Sequence, residues 1–285
     1  MTVPSPFFEQ VYPREKLAPK TGQRGPERSE GFAMKSWSWL VVIVLALGPV
    51  APIWGEDPSG PVVTASADFN SAYIWRGLTL NDGWIFQPAL DIGGLKLGSI
   101  PIGVNIWSIF NLDDFGGSVR KNQFSEVDIT LSAELGAGFE ASYIEYIYTA
   151  GAFADSSVSV PGTREIALSW TQEMPFTPTV TLYYDMKEVG GGFLQLSLAR
   201  AFDLSEKASL SLQADVGVAS DAFARYYGGA KGGFYQYQAL ARLSCQATDR
   251  VSIYASAAYT NGFGHDILPQ QPTDFYGGVG IAITF

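Results

Sequence analysis

One cysteine and one histidine in 285 residues leave little soft metal or nucleophile chemistry to this chain. With Cys245 alone no intrachain disulfide can form, and the Cys/His sets that hold zinc cannot be assembled. Basic residues are also scarce. From residue 56 onward about 12 Lys and Arg stand against about 24 Asp and Glu, a balance that argues against nucleic-acid binding. Long hydrophobic runs are missing as well: the unbroken run Leu40–Leu47 falls short of the roughly 20 apolar residues a spanning helix needs, and no later run reaches that length. Nor does a cysteine lie near residues 51–55, so a lipid anchor at a processed N-terminus is not expected.

The front of the chain has the pattern of a precursor. Met34-Lys35, the apolar stretch from Trp37 to Pro52 and the small residues after it form a secretory signal peptide over residues 34–55. Residues 1–33, rich in proline and mixed charge, have no structural pattern and read as an over-extended start or disordered extension, with Met34 the better start. That leaves residues 56–285 for a single domain.

What that domain does have is alternation. In the last residues, Phe275, Val279, Ile281, Ile283 and Phe285 share one parity, while Asp274, Tyr276, Ala282 and Thr284 share the other. Period two with one apolar face suits a strand facing lipid on one side and water on the other, although a soluble sandwich strand can show the same. The same alternation recurs in about twelve segments, which predicts an all-β fold, a transmembrane antiparallel up-and-down barrel. The first segment is Val63 to Trp75, with Tyr73 and Trp75 on the apolar face. The second is Trp84 to Ile92. The fifth, Phe139 to Tyr148, puts Glu145 on the apolar face and so predicts a bulge.

Loop lengths sort by parity. Long connections are expected at Asn111–Phe124, Gly151–Gly162, Ser220–Gly233 and Asn261–Thr273, and short ones at Gly93–Leu97, Gly136–Gly138, Asp203–Lys207 and Ala247–Arg250. Outer-membrane barrels have long external loops and short periplasmic turns, whereas a soluble sandwich or lipocalin-like barrel has no reason to sort them. Aromatics divide similarly, with Trp75, Trp84, Phe86, Phe110, Tyr259 and Phe275 at outer strand ends and Phe139, Trp170, Phe202 and Phe285 at the other.

The inward parity names the lining of a bore: Asp68, Asp91, Asp128, Glu134, Glu165, Asp185 and Asp215, against Arg76 and Arg242. Rings of carboxylates favour cations, so a narrow, weakly cation-preferring channel is expected, the alternative being that these acids only solvate a wet wall. Arg76 should meet solutes at the outer mouth or, alternatively, pair with a lumen carboxylate to brace the wall.

Ser71-Ala72-Tyr73-Ile74-Trp75-Arg76-Gly77-Leu78, followed by Asn81-Asp82 and Gln87-Pro88-Ala89-Leu90, resembles the opening hairpin of the TorF-like porin family of bacterial outer-membrane barrels. The resemblance covers about 25 residues and singles out Tyr73, Trp75, Arg76 and Gly77. It implies an outer-membrane barrel exported through a signal peptide, and a porin-like channel. The closing aromatic, Phe285, resembles the terminal Phe that serves such proteins as an assembly signal. Expected partners are outer-membrane lipids and lipopolysaccharide, the outer-membrane assembly machinery and small hydrophilic solutes; no cofactor and no enzymatic activity are expected. Two other function classes stay open. A lipid hydrolase on a barrel would need His265 as its base, but no serine neighbours it and no His-x-Ser motif occurs. A structural or adhesive barrel would bind partners through its external loops. Asp113-Asp114 could hold calcium or bridge lipopolysaccharide, or simply be solvated.

Overall fold

The computed structural model describes residues 60–115, 119–149 and 160–285. The expected signal peptide over 34–55, the expected extension over 1–33 and most of the loop at 151–162 lie outside the described residues.

Alternating segments pair with their sequence neighbours into one closed antiparallel barrel of twelve strands. They are β1 (Val62–Asn70), β4 (Ile85–Leu97), β5 (Ile100–Asn111), β6 (Gln123–Gly136), β7 (Phe139–Tyr148), β8 (Thr163–Thr171), β9 (Thr177–Asp185), β10 (Gly192–Ser205), β11 (Ala208–Ala219), β12 (Gly233–Gln246), β13 (Val251–Gly262) and β14 (Phe275–Thr284). β14 closes on β1 with Ala67 opposite Ile281, and the amide of Phe285 donates to the carbonyl of Val63 at 2.9 Å. Closure leaves no edge strand unpaired, as a spanning sheet requires. The wall is inverted relative to a soluble protein: Leu131, Leu168, Leu182, Leu198 and Val279 are exposed on its outside.

Aromatics gather at both rims of that apolar wall. Trp84, Tyr259 and Phe275 are exposed near the long-loop end, and Phe139, Phe202 and Phe285 near the short-turn end. Arg200 points outward at the lower rim, its guanidinium 4.9 Å from the Phe176 ring and 5.0 Å from the Phe202 ring, a cation held in the aromatic girdle.

Three expectations need correction. The first segment is not one strand to Trp75: β1 ends at Asn70, and the chain then makes a separate two-stranded hairpin of β2 (Tyr73–Trp75) and β3 (Leu78–Asn81). Tyr73 and Trp75 therefore leave the outer belt and lie inside the barrel. The hairpin's two-residue turn is Arg76-Gly77, with φ of 48° and 80°, the paired positive values of a type I′ turn whose twist suits a tight hairpin.

The second segment runs past Ile92 to Leu97, through a register shift between Ile92 and Leu95 with Gly94 at φ 73°, so the turn falls after Leu97 rather than over Gly93–Leu97. The bulge expected in the fifth segment is absent, and β7 keeps register with β8 from Phe139 to Tyr146. Glu145 stays on the outer face, where Arg164 of the neighbouring strand reaches it at 3.3 Å and the Tyr143 hydroxyl donates to it. A cross-strand cation removed the need for a kink. The Ser220–Gly233 connection is long as expected, and it carries a helical turn, α1 (Asp221–Tyr226), capped by the Ser220 hydroxyl accepting from the Phe223 amide at 3.2 Å.

Candidate functional site

Inward-facing side chains decide what such a barrel can do, and here the two halves of the bore differ. The half under the long loops is packed. The β2–β3 hairpin reaches the wall almost all the way round: the Tyr73 hydroxyl donates to Glu126 of β6 at 3.0 Å, Asn81 donates to Asn111 of β5 at 2.8 Å, and Arg76 meets Glu165 of β8. A Cβ on Gly77 would lie 2.7 Å from the Cβ of Gln236 on β12, and at φ 80° the position already favours glycine. A segment touching β5, β6, β8 and β12 lies across the bore.

Other loops seal it in place. Phe223 and Tyr227, from α1 and its C-terminal end, stack on Trp75 at 5.9 and 5.4 Å, and Phe193 and Tyr235 complete the cluster. From the last long connection, Leu268 is 1% exposed, and Gln271 accepts the Thr79 amide at 2.8 Å. The upper bore is thus a hydrophobic core built by the hairpin, the long loops and inward strand residues, not a wet vestibule.

Arg76 is the centre of this packing. Its Nη1 and Nη2 donate to the two oxygens of Glu165, both at 2.7 Å, with side-chain exposures of 6% and 3%. Its guanidinium also lies 4.2 Å from the Tyr183 ring, 4.5 Å from Trp75 and 4.8 Å from Phe193. The Tyr146 hydroxyl donates a third bond to Glu165 at 3.0 Å. Two parallel charge-assisted bonds plus three ring faces satisfy a buried guanidinium without water. In this state Arg76 is a brace between hairpin and wall, the second of the two expectations for it, and its charge is spent on Glu165.

Asp185 also leaves the lining. It is 1% exposed, accepts the amides of Lys187 and Val189 at 2.9 and 3.0 Å and the Thr163 hydroxyl at 2.7 Å, and so shapes the β9–β10 turn. The other named residues face the bore. Asp91 is exposed and accepts Asn105 at 2.6 Å; Glu134 is exposed near the short turns. Asp68 accepts the Tyr254 hydroxyl at 3.0 Å, and Arg242 lies 4.6 Å over that ring. Asp128 and Asp215 line a cavity of about 400 Å³ on the short-turn side of the hairpin.

Sequence reasoning missed Glu126, which shares inward parity with Asp128, and Trp107, which lines part of the cavity. Parity alone could have found both. The signal for the hairpin was Arg76-Gly77, a two-residue turn followed by the alternating Leu78 and Leu80.

On the outer surface, Lys231 pairs with Asp266 at 2.8 Å and ties two long loops together. The hydrogen bond from Lys231 holds the Asp266 carboxyl below its usual range and raises the Lys231 ammonium in turn. His265 is exposed beside this pair, so the carboxylate that could orient an imidazole base already serves a lysine. Asp114 accepts the Lys121 amide at 2.8 Å, which shapes its own loop.

No family model matches the chain, and no curated protein sequence matches it. Among solved structures, an outer membrane channel of Pseudomonas putida F1 is similar over 81% of this chain and 99% of its own, at 7% identity and a TM-score of 0.47. The NanC porin covers 78% of this chain and 98% of itself at 9% identity and a TM-score of 0.44. The translocator domain of the autotransporter NalP from Neisseria meningitidis covers 87% and 96% at 13% identity and 0.39. Likenesses this weak carry no argument about activity. The resemblance to the TorF-like family accordingly rests on residues 71–90 themselves.

Proposed function

We propose that this chain is a bacterial outer-membrane, porin-like channel for passive diffusion of small hydrophilic solutes, held closed at its outer end by the β2–β3 hairpin. The observation that carries the reading is the contrast between an apolar outer wall and a lower bore lined by exposed polar groups such as Asp91, Glu134 and Arg242. A barrel whose only task was to fill its own interior would have no reason to keep that half wet. Export through the 34–55 signal, long loops outward, and recognition of Phe285 by the assembly machinery belong to the same proposal.

A weak preference for cations follows from the remaining lining. Arg76 and Glu165 cancel each other, which leaves Asp68, Asp91, Asp128, Glu134 and Asp215 against Arg242. The test is planar-bilayer recording of the mature chain beside a variant lacking residues 72–82. Rare or no steps for the intact chain and discrete steps for the deletion variant, with a cation-selective reversal potential, are expected. A folded deletion variant that never conducts would remove the channel reading.

The packing of α1 and the last long connection onto the hairpin favours a second reading, a barrel presenting a fixed outer platform to a partner. Loop exchange that abolishes surface binding and leaves conductance unchanged would favour it.

A further inference from the structure

The cavity beneath the hairpin, of about 400 Å³, is near the lower end of the roughly 300–1,000 Å³ of small-molecule sites. It has room for one small ring rather than a chain of them. Asn105 and Thr130 reach it from β5 and β6, and Gln195, Gln236 and Gln238 from β10 and β12. These groups of strands stand on opposite sides of the ring of twelve. Polar side chains therefore converge across the bore on one small space.

Little free charge is left there. Arg76, the one basic side chain of the lining among the described residues, is bound to both oxygens of Glu165. Asp128 Oδ1 is sealed from solvent. Asp215 takes three amide hydrogen bonds, from Gln213 at 2.9 and 3.0 Å and from Gln238 at 3.3 Å, out of the roughly four a carboxylate can accept. An anion meets no open cation here. An ammonium, with three N–H groups to place, meets at most one open carboxylate position.

What stays open is uncharged. Among the described residues the Thr130 hydroxyl makes no hydrogen bond, and Gln195 makes one long one, to Ser197 at 3.4 Å. Gln236 uses its carbonyl oxygen on Thr260 and leaves its amide nitrogen unpartnered, while Asn105 uses its nitrogen on Asp91 and leaves its oxygen. None of these atoms is sealed; the sealed and unpartnered ones are Asp128 Oδ1, Arg164 Nε and the Tyr235 hydroxyl. Amides and hydroxyls both donate and accept, so they match a solute that does the same. A sugar ring is such a solute, with hydroxyls round its rim and C–H groups on its faces. Trp107, which Tyr73 touches at 5.5 Å between ring centroids, lines the same space and offers those C–H groups an aromatic surface.

We propose that this cavity binds a neutral monosaccharide in its ring form. Gln195 and Gln236 meet its hydroxyls from one side of the bore, Thr130 and Asn105 from the other, and Trp107 packs on its C–H groups. The proposal deepens the channel reading by naming a solute class and rests on it for what the lumen carries; binding itself is tested without conduction.

The experiment is calorimetric titration of the refolded mature chain, in a sugar-free amine-oxide detergent, with D-glucose, D-galactose and D-mannose in turn. Tryptophan fluorescence is followed in parallel. Cyclohexanol serves as the ring without the hydroxyl rim, and n-butylammonium as the small cation. Saturable millimolar binding of at least one hexose with a fluorescence change is expected. Binding should be at least tenfold weaker for Gln195→Leu with Thr130→Val, side chains that take no part in the Arg76–Glu165 bonds. Unchanged heat-modifiable migration shows that the variant barrel is intact, and Thr130→Val alone, nearly the same shape, should weaken binding in the same direction. No binding of any of the three hexoses to the folded wild type would overturn the proposal. So would equal binding of cyclohexanol, which marks an apolar void, or of butylammonium, which marks a site for charge. Equal hexose binding by wild type and folded variants would place the sugar elsewhere. A barrel that binds a hexose and never conducts loses the channel reading and keeps the site; one that conducts and binds none loses only the site.

Discussion

Arg76 and Glu165, 89 residues apart in sequence, meet through two parallel hydrogen bonds of 2.7 Å across the bore. One sits on the turn of a hairpin that belongs to no barrel strand, the other on β8 of the wall. The pair therefore couples the position of the hairpin to the barrel, and the rings around Arg76 keep water from competing for it.

Removing either partner leaves a buried charge. Arg76→Ala or Glu165→Ala should each cost about 3–5 kcal/mol, whereas the double change Arg76→Met with Glu165→Met should recover most of it. Urea unfolding followed by heat-modifiable migration measures all three. Arg76→Ala should also raise open probability in bilayers; a barrel destabilised by that amount yet as closed as wild type would show that the hairpin is held by its apolar packing alone.

Gly77 has φ 80° and no room for a side chain, its Cβ position lying 2.7 Å from Gln236 Cβ. Gly77→Val should cost about 1–2 kcal/mol in backbone strain and unseat the turn. Near-ultraviolet dichroism should then lose the contribution of Trp75 while the far-ultraviolet strand signal is retained. An unchanged aromatic signal would mean the hairpin tolerates the shift.

Gly280 faces the lower bore, and a Cβ there would stand 2.3 Å from Tyr254 Cε2 and 2.6 Å from Asp68 Oδ1. Gly280→Ala should displace the ring and break the Tyr254–Asp68 hydrogen bond, costing about 1–3 kcal/mol. Tyr254→Phe removes the bond without the clash and should cost less. Equal midpoints for the two variants would show that steric space is unimportant there.

The Lys231–Asp266 pair predicts a pH window for the outer loops. Asp266 titrates lower in the folded state than in the unfolded one, so its contribution is full above the unfolded carboxyl value and fades as pH falls through the folded one. Lys231 titrates higher when folded, so its share is present below the unfolded ammonium value and lost as pH rises through the folded one. Between about pH 4 and 10 the tie holds. Loop proteolysis around residues 263–270 should be slow in that window and faster outside it, and Lys231→Ala should abolish the contrast.

Much of the architecture was legible from alternation, because the side-chain period of a strand is a local property. Val279, Ile281 and Ile283 show which face is apolar before any partner is known, and loop lengths tell the two ends of the barrel apart. The strand count, the closing position of β14 and the inward parity of Asp68, Asp91, Asp128 and Asp215 follow from that.

What alternation cannot reveal is the partner. Tyr73 and Trp75 continue the parity of Val63 to Phe69, so the sequence alone reads as one strand; only the tertiary structure takes them out of the wall and folds them onto Leu78–Asn81. Glu145 looked like a fault in its strand until Arg164 arrived from the next one. Arg76 was placed correctly inside the barrel, but whether it would meet solute or a carboxylate depended on Glu165, 89 residues away. Local periodicity determined the barrel of this protein; long-range pairing, which closes the bore and buries its central charge, was decided only when the chain came together in three dimensions.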